Sequence, residues 1–168
     1  MRRLHLIAAF VVLAICVASL AHNRHLKRCG DVIITSSSSC GREAAFLRAL
    51  AGKISAVLDH RSMDPAIRAR IRSRWDGTVH ELEDQDRAPA VSMQKREVRL
   101  CLKGGPTQEA ALFVLLHEMA HIGCTSTGHT DEFWRVMRHL LDTARAAGVY
   151  TTHDASSTVC GTAVGELP

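Results

Sequence analysis

The sequence predicts an α+β fold. Four stretches repeat apolar residues at helical spacing, and a stretch between the second and third alternates at period two. The order helix, helix, strands, helix, helix keeps the two types segregated, unlike the interleaved order of a doubly wound sheet. The chain has 168 residues, 46% hydrophobic and 23% charged, which suits one globular domain rather than a disordered or coiled-coil chain. One long apolar run is present, which excludes a multi-span membrane protein. The net charge of +4 is mild and makes no case for a nucleic-acid partner.

Residues 1–22 read as a signal-anchor or signal peptide. Arg2 and Arg3 precede an uncharged run from Leu6 to Ala21, near the lower end of the about 17–25 residues that span a bilayer. This predicts a single-pass membrane protein held by its N-terminal segment. Ser19-Leu20-Ala21 also suits a signal peptidase, so secretion is the alternative. Removing that segment takes Arg2 and Arg3 with it and leaves the rest nearly neutral. Residues 23–40 read as a linker, with the polar run 36–39 after the short apolar Val32-Ile33-Ile34. Residues 41–155 are the expected domain, and 156–168 a C-terminal tail without clear structure.

Within the domain, Arg42 to Leu58 is helical, with Ala45, Ala49, Ile54, Val57 and Leu58 close to one face and Phe46 and Leu50 beside it. A second helix starts at Asp64-Pro65, a cap residue followed by proline at the first helical position, and Gly77 is its natural stop. Thr78 to Leu82 reads as a short strand. Val91 to Leu102 reads as strand because Val98, Leu100 and Leu102 alternate with Arg99 and Cys101. Thr107 can cap the third helix, whose buried stripe is Leu112, Leu115, Leu116, Met119 and Ala120 and whose end is near Gly123. The last helix runs from about Asp131 to Ala147 on Phe133, Val136, Met137, Leu140, Leu141 and Ala144, and Gly148 stops it.

Six cysteines occur at 16, 29, 40, 101, 124 and 160. None forms a Cys-x-x-Cys pair, so a zinc ribbon is unsupported. Cys29 with Cys40 would close a short loop in an oxidising compartment, but connectivity does not follow from sequence.

The chemistry concentrates in His117-Glu118-Met119-Ala120-His121 on the third helix. Histidines four apart lie on one helical face, so both imidazoles can reach one ion. Zinc suits neutral imidazole nitrogen and takes three protein ligands plus water at catalytic sites. Glu118 is directed beside such an ion, where it can act as general base. His129, in a glycine-flanked loop, is the leading third ligand. Asp131 is a weaker candidate, and Glu132 lies too far into the next helix. The metzincin spacing would need glycine and histidine where Cys124 and Thr127 stand.

Other groups are weaker candidates. Tyr150 or His153 could donate to an oxyanion, although both also read as ordinary tail residues. His139 reads as a packing residue. Arg61, Arg68, Arg70, Arg72 and Arg74 read as a solvated helix surface rather than a phosphate-binding face.

Leu115 to His121, followed by Gly128-His129-Thr130-Asp131-Glu132-Phe133-Trp134, resembles the WLM and SprT-like zinc metallopeptidases. Trp75-Asp76-Gly77, Glu81-Leu82 and Lys95 to Lys103 resemble a small WLM-like set of predicted metallopeptidases of large DNA viruses and algae. The resemblance spans about residues 65–150. It implies a minimal zincin with a small sheet whose edge strand lies near the active-site helix. It also implies Zn2+ on His117, His121 and His129, with Glu118 as base. The interval of seven residues between His121 and His129 is longer than in most WLM enzymes.

The expected function is therefore a zinc-dependent metallopeptidase acting on a protein or peptide. An extended substrate would pair with the strand at Val98 to Leu102. The alternatives are a non-catalytic zinc-stabilised interaction domain, with Cys124 or Asp131 closing the site, and a DNA-associated protease like characterised WLM relatives.

Overall fold

The computed structural model describes residues 26–35, 37–83, 88–154 and 156–165. The expected signal-anchor at 1–22 lies outside them. Among the described residues no helix is long and apolar enough to cross a membrane. The architecture is mixed α+β, with four helices and small sheets.

The expected linker is instead partly structured. Strands β1 (Leu26–Cys29) and β2 (Val32–Thr35) form an antiparallel hairpin. Gly30, at φ 69°, makes the turn. Val32 and Ile34 point inward and are fully buried, and Cys29–Cys40 is a disulfide. The hairpin was illegible because four-residue strands carry almost no alternation and a serine run follows them.

Helix α1 (Arg42–Asp59) buries Ala44, Leu47, Leu50, Ala51, Ile54, Val57 and Leu58. Ala45 and Ala49, expected on that face, are exposed. The face turns toward Leu47 and Leu50 because a buried leucine gains about 1.5–3 kcal/mol, well beyond what an alanine methyl offers. Helix α2 (Pro65–Arg74) starts as expected, with the Asp64 carboxylate accepting from Ala66 N–H and Ile67 N–H.

Strands β3 (Val79–Glu81), β4 (Ala90–Met93) and β5 (Glu97–Leu100) form a sheet in the order β3-β5-β4. The single strand expected from Val91 to Leu102 is thus a hairpin. Arg96 N–H donates to the Met93 carbonyl at 3.0 Å across the turn, and Gln94 and Lys95 adopt φ 51° and 57°. Neither residue is glycine, so nothing in the composition announced the turn. β5 runs parallel to β3 and antiparallel to β4. It is the central strand, so an extended substrate cannot pair with it; β3 and β4 are the edges, and β3 faces the N-terminal hairpin.

Helix α3 (Gln108–Gly123) is capped by Thr107, which accepts from Ala110 N–H, and helix α4 (Asp131–Ala146) by Thr130, which accepts from Phe133 N–H. α3 buries 12 of its 16 residues. Gly123 permits its closest packing: a Cβ there would lie 3.2 Å from Val136 Cγ1 and 3.3 Å from Ile67 Cγ2. The expected tail is part of the fold. Strands β6 (Thr158–Val159) and β7 (Thr162–Ala163) pair, Cys160 is disulfide-bonded to Cys101, and Val159 and Val164 are buried.

The N-terminal hairpin meets β3 through side chains. Glu81, buried, accepts from Thr35 N–H at 2.8 Å and the Ser38 hydroxyl at 2.7 Å. His80 Nδ1 accepts from Ile33 N–H at 3.0 Å. Its Nε2 therefore carries the proton toward Thr78 Oγ1 at 3.2 Å, and the Thr78 hydroxyl donates to Asp76. Burial lowers the His80 pKa from its ordinary value, against the opposing carboxylates of Glu97 and Asp76. The folded state then binds fewer protons, so this contribution is complete above about pH 6.5 and is lost as pH falls through the folded value. Denaturant unfolding at pH 8, 6.5 and 5 should show wild type weakening toward acid, with a smaller loss in His80→Gln. Equal losses in the two proteins would remove His80 from the hairpin's attachment.

Candidate metal centre

His117 and His121 emerge one turn apart from a helix anchored by fully buried Leu115 and Leu116. The loop after α3 brings His129 back onto the same point. Gly128, at φ 76°, reverses the chain just before it, and Thr130 starts α4 just after it. The His117 Nε2 lies 3.2 Å from His121 Nε2 and 3.0 Å from His129 Nε2. Ligand atoms of all three lie within 4.8 Å of one another.

This arrangement fits a tetrahedral ion. Zinc–nitrogen bonds of about 2.0–2.1 Å at tetrahedral angles place nitrogens about 3.3 Å apart. Facing nitrogens of two neutral imidazoles share one proton at most, and His117 faces two partners. A cation at the centre satisfies all three lone pairs. Burial holds the His117 imidazole down at about 4, with His121 and His129 adding to the shift. Burial also lowers His121, helped by His129 and Lys95. Both shifts favour the neutral form that ligates metal.

Phe133, fully buried on α4, is the floor under the triad. Its ring centroid lies 4.8 Å from His117, 4.4 Å from His121 and 4.6 Å from His129. Trp134 stacks on His129 at 5.5 Å. Among the described residues no fourth histidine, cysteine or carboxylate joins the group. Asp131 is exposed in the first turn of α4 and stands outside it. The Cys124 thiol is free and buried, and burial raises its pKa.

Glu118 is 8% exposed and lines the same cavity as the histidines. Burial raises its carboxyl pKa, while hydrogen bonds from the Ser92 hydroxyl and backbone pull the other way. Ser92 sits on edge strand β4, so the sheet positions the acid. The sequence offered no sign of this, because Ser92 lies 26 residues upstream in what reads as an ordinary strand.

The loop carrying His129 is held from three sides. Lys95 Nζ donates to the Cys124 and Ser126 carbonyls, both at 3.0 Å. Arg74 donates to the Ile122 and Cys124 carbonyls at 2.8 and 3.1 Å. These cations satisfy carbonyls left open where α3 ends. Glu132 accepts from the N–H and hydroxyl groups of both Thr125 and Ser126. The backbone donors of Ser126 and Thr125, then their hydroxyls, hold its carboxyl at about 2. Glu132 therefore shapes the loop rather than binding metal.

Tyr150 and His153 do not line the cavity. They bond to each other and to the C-terminal segment. His139 Nε2 accepts from Asp64 N–H. In the arginine cluster, Arg68 holds the His60 carbonyl, Arg72 pairs with Asp59 and Arg74 serves the loop. The cavity measures about 470 Å³. Besides the histidines and Glu118, it is bordered by Phe113, Val114 and Trp134, by Pro89 and Ala90 at the start of β4, and by residues 163–165.

No family model and no solved structure matches the chain. Three curated viral proteins resemble it in part. Uncharacterized protein 136R of Invertebrate iridescent virus 6 is 32% identical over 77 residues, covering 42% of this chain and 43% of its own. Uncharacterized protein 042R of Invertebrate iridescent virus 3 is 35% identical over 74 residues, covering 41% and 45%. Uncharacterized protein R325 of Acanthamoeba polyphaga mimivirus is 26% identical over 98 residues, covering 53% and 50%. The chain thus spans about half the length of the curated relatives it matches.

Releasing the loop should loosen His129. Glu132→Ala is expected to weaken zinc affinity at least about tenfold, the scale of lost supporting contacts at metal sites, while leaving His117 and His121 in place. Competition with a chelator of known affinity reads this directly. Unchanged affinity would show that the loop holds His129 without Glu132.

Proposed function

We propose that the protein is a zinc-dependent metallopeptidase with a minimal zincin-like domain, related to the WLM and SprT-like group. The observation that carries this reading is the convergence of three imidazole nitrogens beside a buried carboxylate, with no fourth ligating group among the described residues. Structural zinc sites are closed by four ligands, whereas catalytic sites keep a position open. That difference favours an enzyme over a zinc-stabilised interaction domain. The DNA-associated alternative has less support, because Arg68 and Arg74 hold the His60 and Ile122 carbonyls and the net charge of +4 is mild.

His117, His121 and His129 would hold zinc. Bound there, it would polarise the scissile carbonyl and bring the pKa of water toward about 7. Glu118 takes the proton of the attacking water and returns it to the leaving amine. Burial raises its pKa, the direction that helps it hold the transferred proton, and Ser92 holds it in place. An extended peptide would pair with edge strand β4 rather than with β5, since β4 is at the sheet edge and its Ala90 borders the cavity. Two disulfides favour an oxidising compartment. That agrees with a membrane-anchored or secreted protein, and the peptide substrate would be met there.

Zinc content and hydrolysis of a casein-type substrate should be measured on the full-length protein. One zinc per chain is expected, lost in His117→Ala and His129→Ala and kept in Glu118→Gln, with hydrolysis abolished in all three. Cleavage retained by Glu118→Gln would overturn the mechanism. Zinc retained in His129→Ala would move the third ligand elsewhere.

A further inference from the structure

One border of the metal cavity comes from the C-terminal segment rather than from the helix that bears the histidines. Ala163, Val164 and Gly165 line it. Strands of two residues cannot hold such a segment by themselves. Within the segment, Val164 N–H donates to the Ser157 carbonyl at 3.0 Å, and two attachments tie it to the rest of the fold. The Cys101–Cys160 disulfide ties it to the end of β5. His153 Nε2 donates to the Val164 carbonyl at 3.0 Å, which leaves Nδ1 to accept from the Tyr150 hydroxyl at 2.8 Å. The His153 ring also packs on Phe113 at 4.5 Å, and Phe113 borders the same cavity. Tyr150 and His153 thus act on the site through the strap.

We propose that residues 157–165 form a stapled strap that determines specificity, selecting a peptide with an uncharged, apolar side chain next to the scissile bond. The inference rests on the peptidase reading above and deepens it. Beside the triad and Glu118, the described lining is apolar: Pro89, Ala90, Phe113, Val114 and Val164 surround the space into which a substrate side chain would project. A charged side chain entering it would lose hydration without a partner. Glu118, the carboxylate present, is already engaged by Ser92 and repels an acidic group.

Amino-acid hydroxamates separate the two readings, since the hydroxamate group grips the metal and the side chain reports the pocket. Leucine, glycine and aspartate hydroxamates would be titrated into zinc-loaded, oxidised full-length protein by calorimetry. Leucine hydroxamate should bind at least about tenfold tighter than the other two, the discrimination an apolar pocket supports. Ala163 is exposed, so Ala163→Lys places a cation on the strap without disturbing the core and gives an acidic side chain a partner at the cavity border. That variant should lose most of the preference for leucine over aspartate hydroxamate, and Cys101→Ser/Cys160→Ser most of the preference over both, while keeping their zinc. Equal binding of the three probes by zinc-loaded wild type would overturn the strap's role alone. So would an undiminished preference for leucine over aspartate hydroxamate in Ala163→Lys. Wild type without zinc would overturn the metal centre and this inference together.

Discussion

The burial of α3 is the constraint on which the rest depends. From Ala110 to Gly123 every residue is buried except His117 and His121. A helix so enclosed cannot tilt or rotate without opening the core, because interiors are packed as densely as organic crystals. The gap in its enclosure is the histidine face, and other elements are arranged around that gap. Helix α4 supplies Phe133 beneath it, β4 supplies Ser92 beside it, and the loop between α3 and α4 supplies the third imidazole. Precision at the site is therefore inherited from the core.

The inheritance has one weak step. His129 lies on an exposed loop, and seven residues separate it from His121. A loop of that length would wander unless tied, which explains the density of bonds on residues 122–126. Arg74 and Lys95 converge on the same Cys124 carbonyl from different elements. Glu132 takes the donors that face the other way. The long interval is compensated by a clamp that draws on α2, the β4–β5 turn and α4. Lys95 sits in that turn at positive φ, so an unfavourable backbone conformation coincides with the residue whose ammonium closes the clamp.

What the sequence made legible follows from length and periodicity. Helices α3 and α4 were readable because their caps and apolar stripes repeat over more than three turns, α2 because Asp64-Pro65 marks its start, and His117 with His121 because four-residue spacing has one geometric meaning on a helix. His129 could be named but not positioned: its placement depends on Arg74, Lys95 and Glu132, which look like ordinary surface charges. The hairpins at 26–35 and 158–163 were invisible for a different reason. Their strands are four and two residues long, too short for alternation to stand out from chance, and each hairpin is held by partners distant in sequence. The face of α1 was misassigned because counting apolar letters weighs alanine like leucine, whereas burial does not.

The two disulfides show how such short pieces become structure. Residues 158–163 bury little beyond Val159, so their own contacts cannot offset the entropy of ordering them. Cross-linking Cys101 to Cys160 closes a loop of 59 residues, and confining the unfolded chain to that extent is worth about 4 kcal/mol in the loop-entropy model. That is enough to decide whether the strap is ordered. Its anchor, Cys101, directly follows the sheet: Cys101 N–H donates to the Pro89 carbonyl at 3.0 Å, next to Ala90 at the start of β4. One covalent bond thus joins the edge strand's neighbourhood to the strap, and both border the cavity of the three histidines. The cleft is consequently a property of the oxidised fold, while the three imidazoles are placed by α3 and by the loop that Arg74, Lys95 and Glu132 tie.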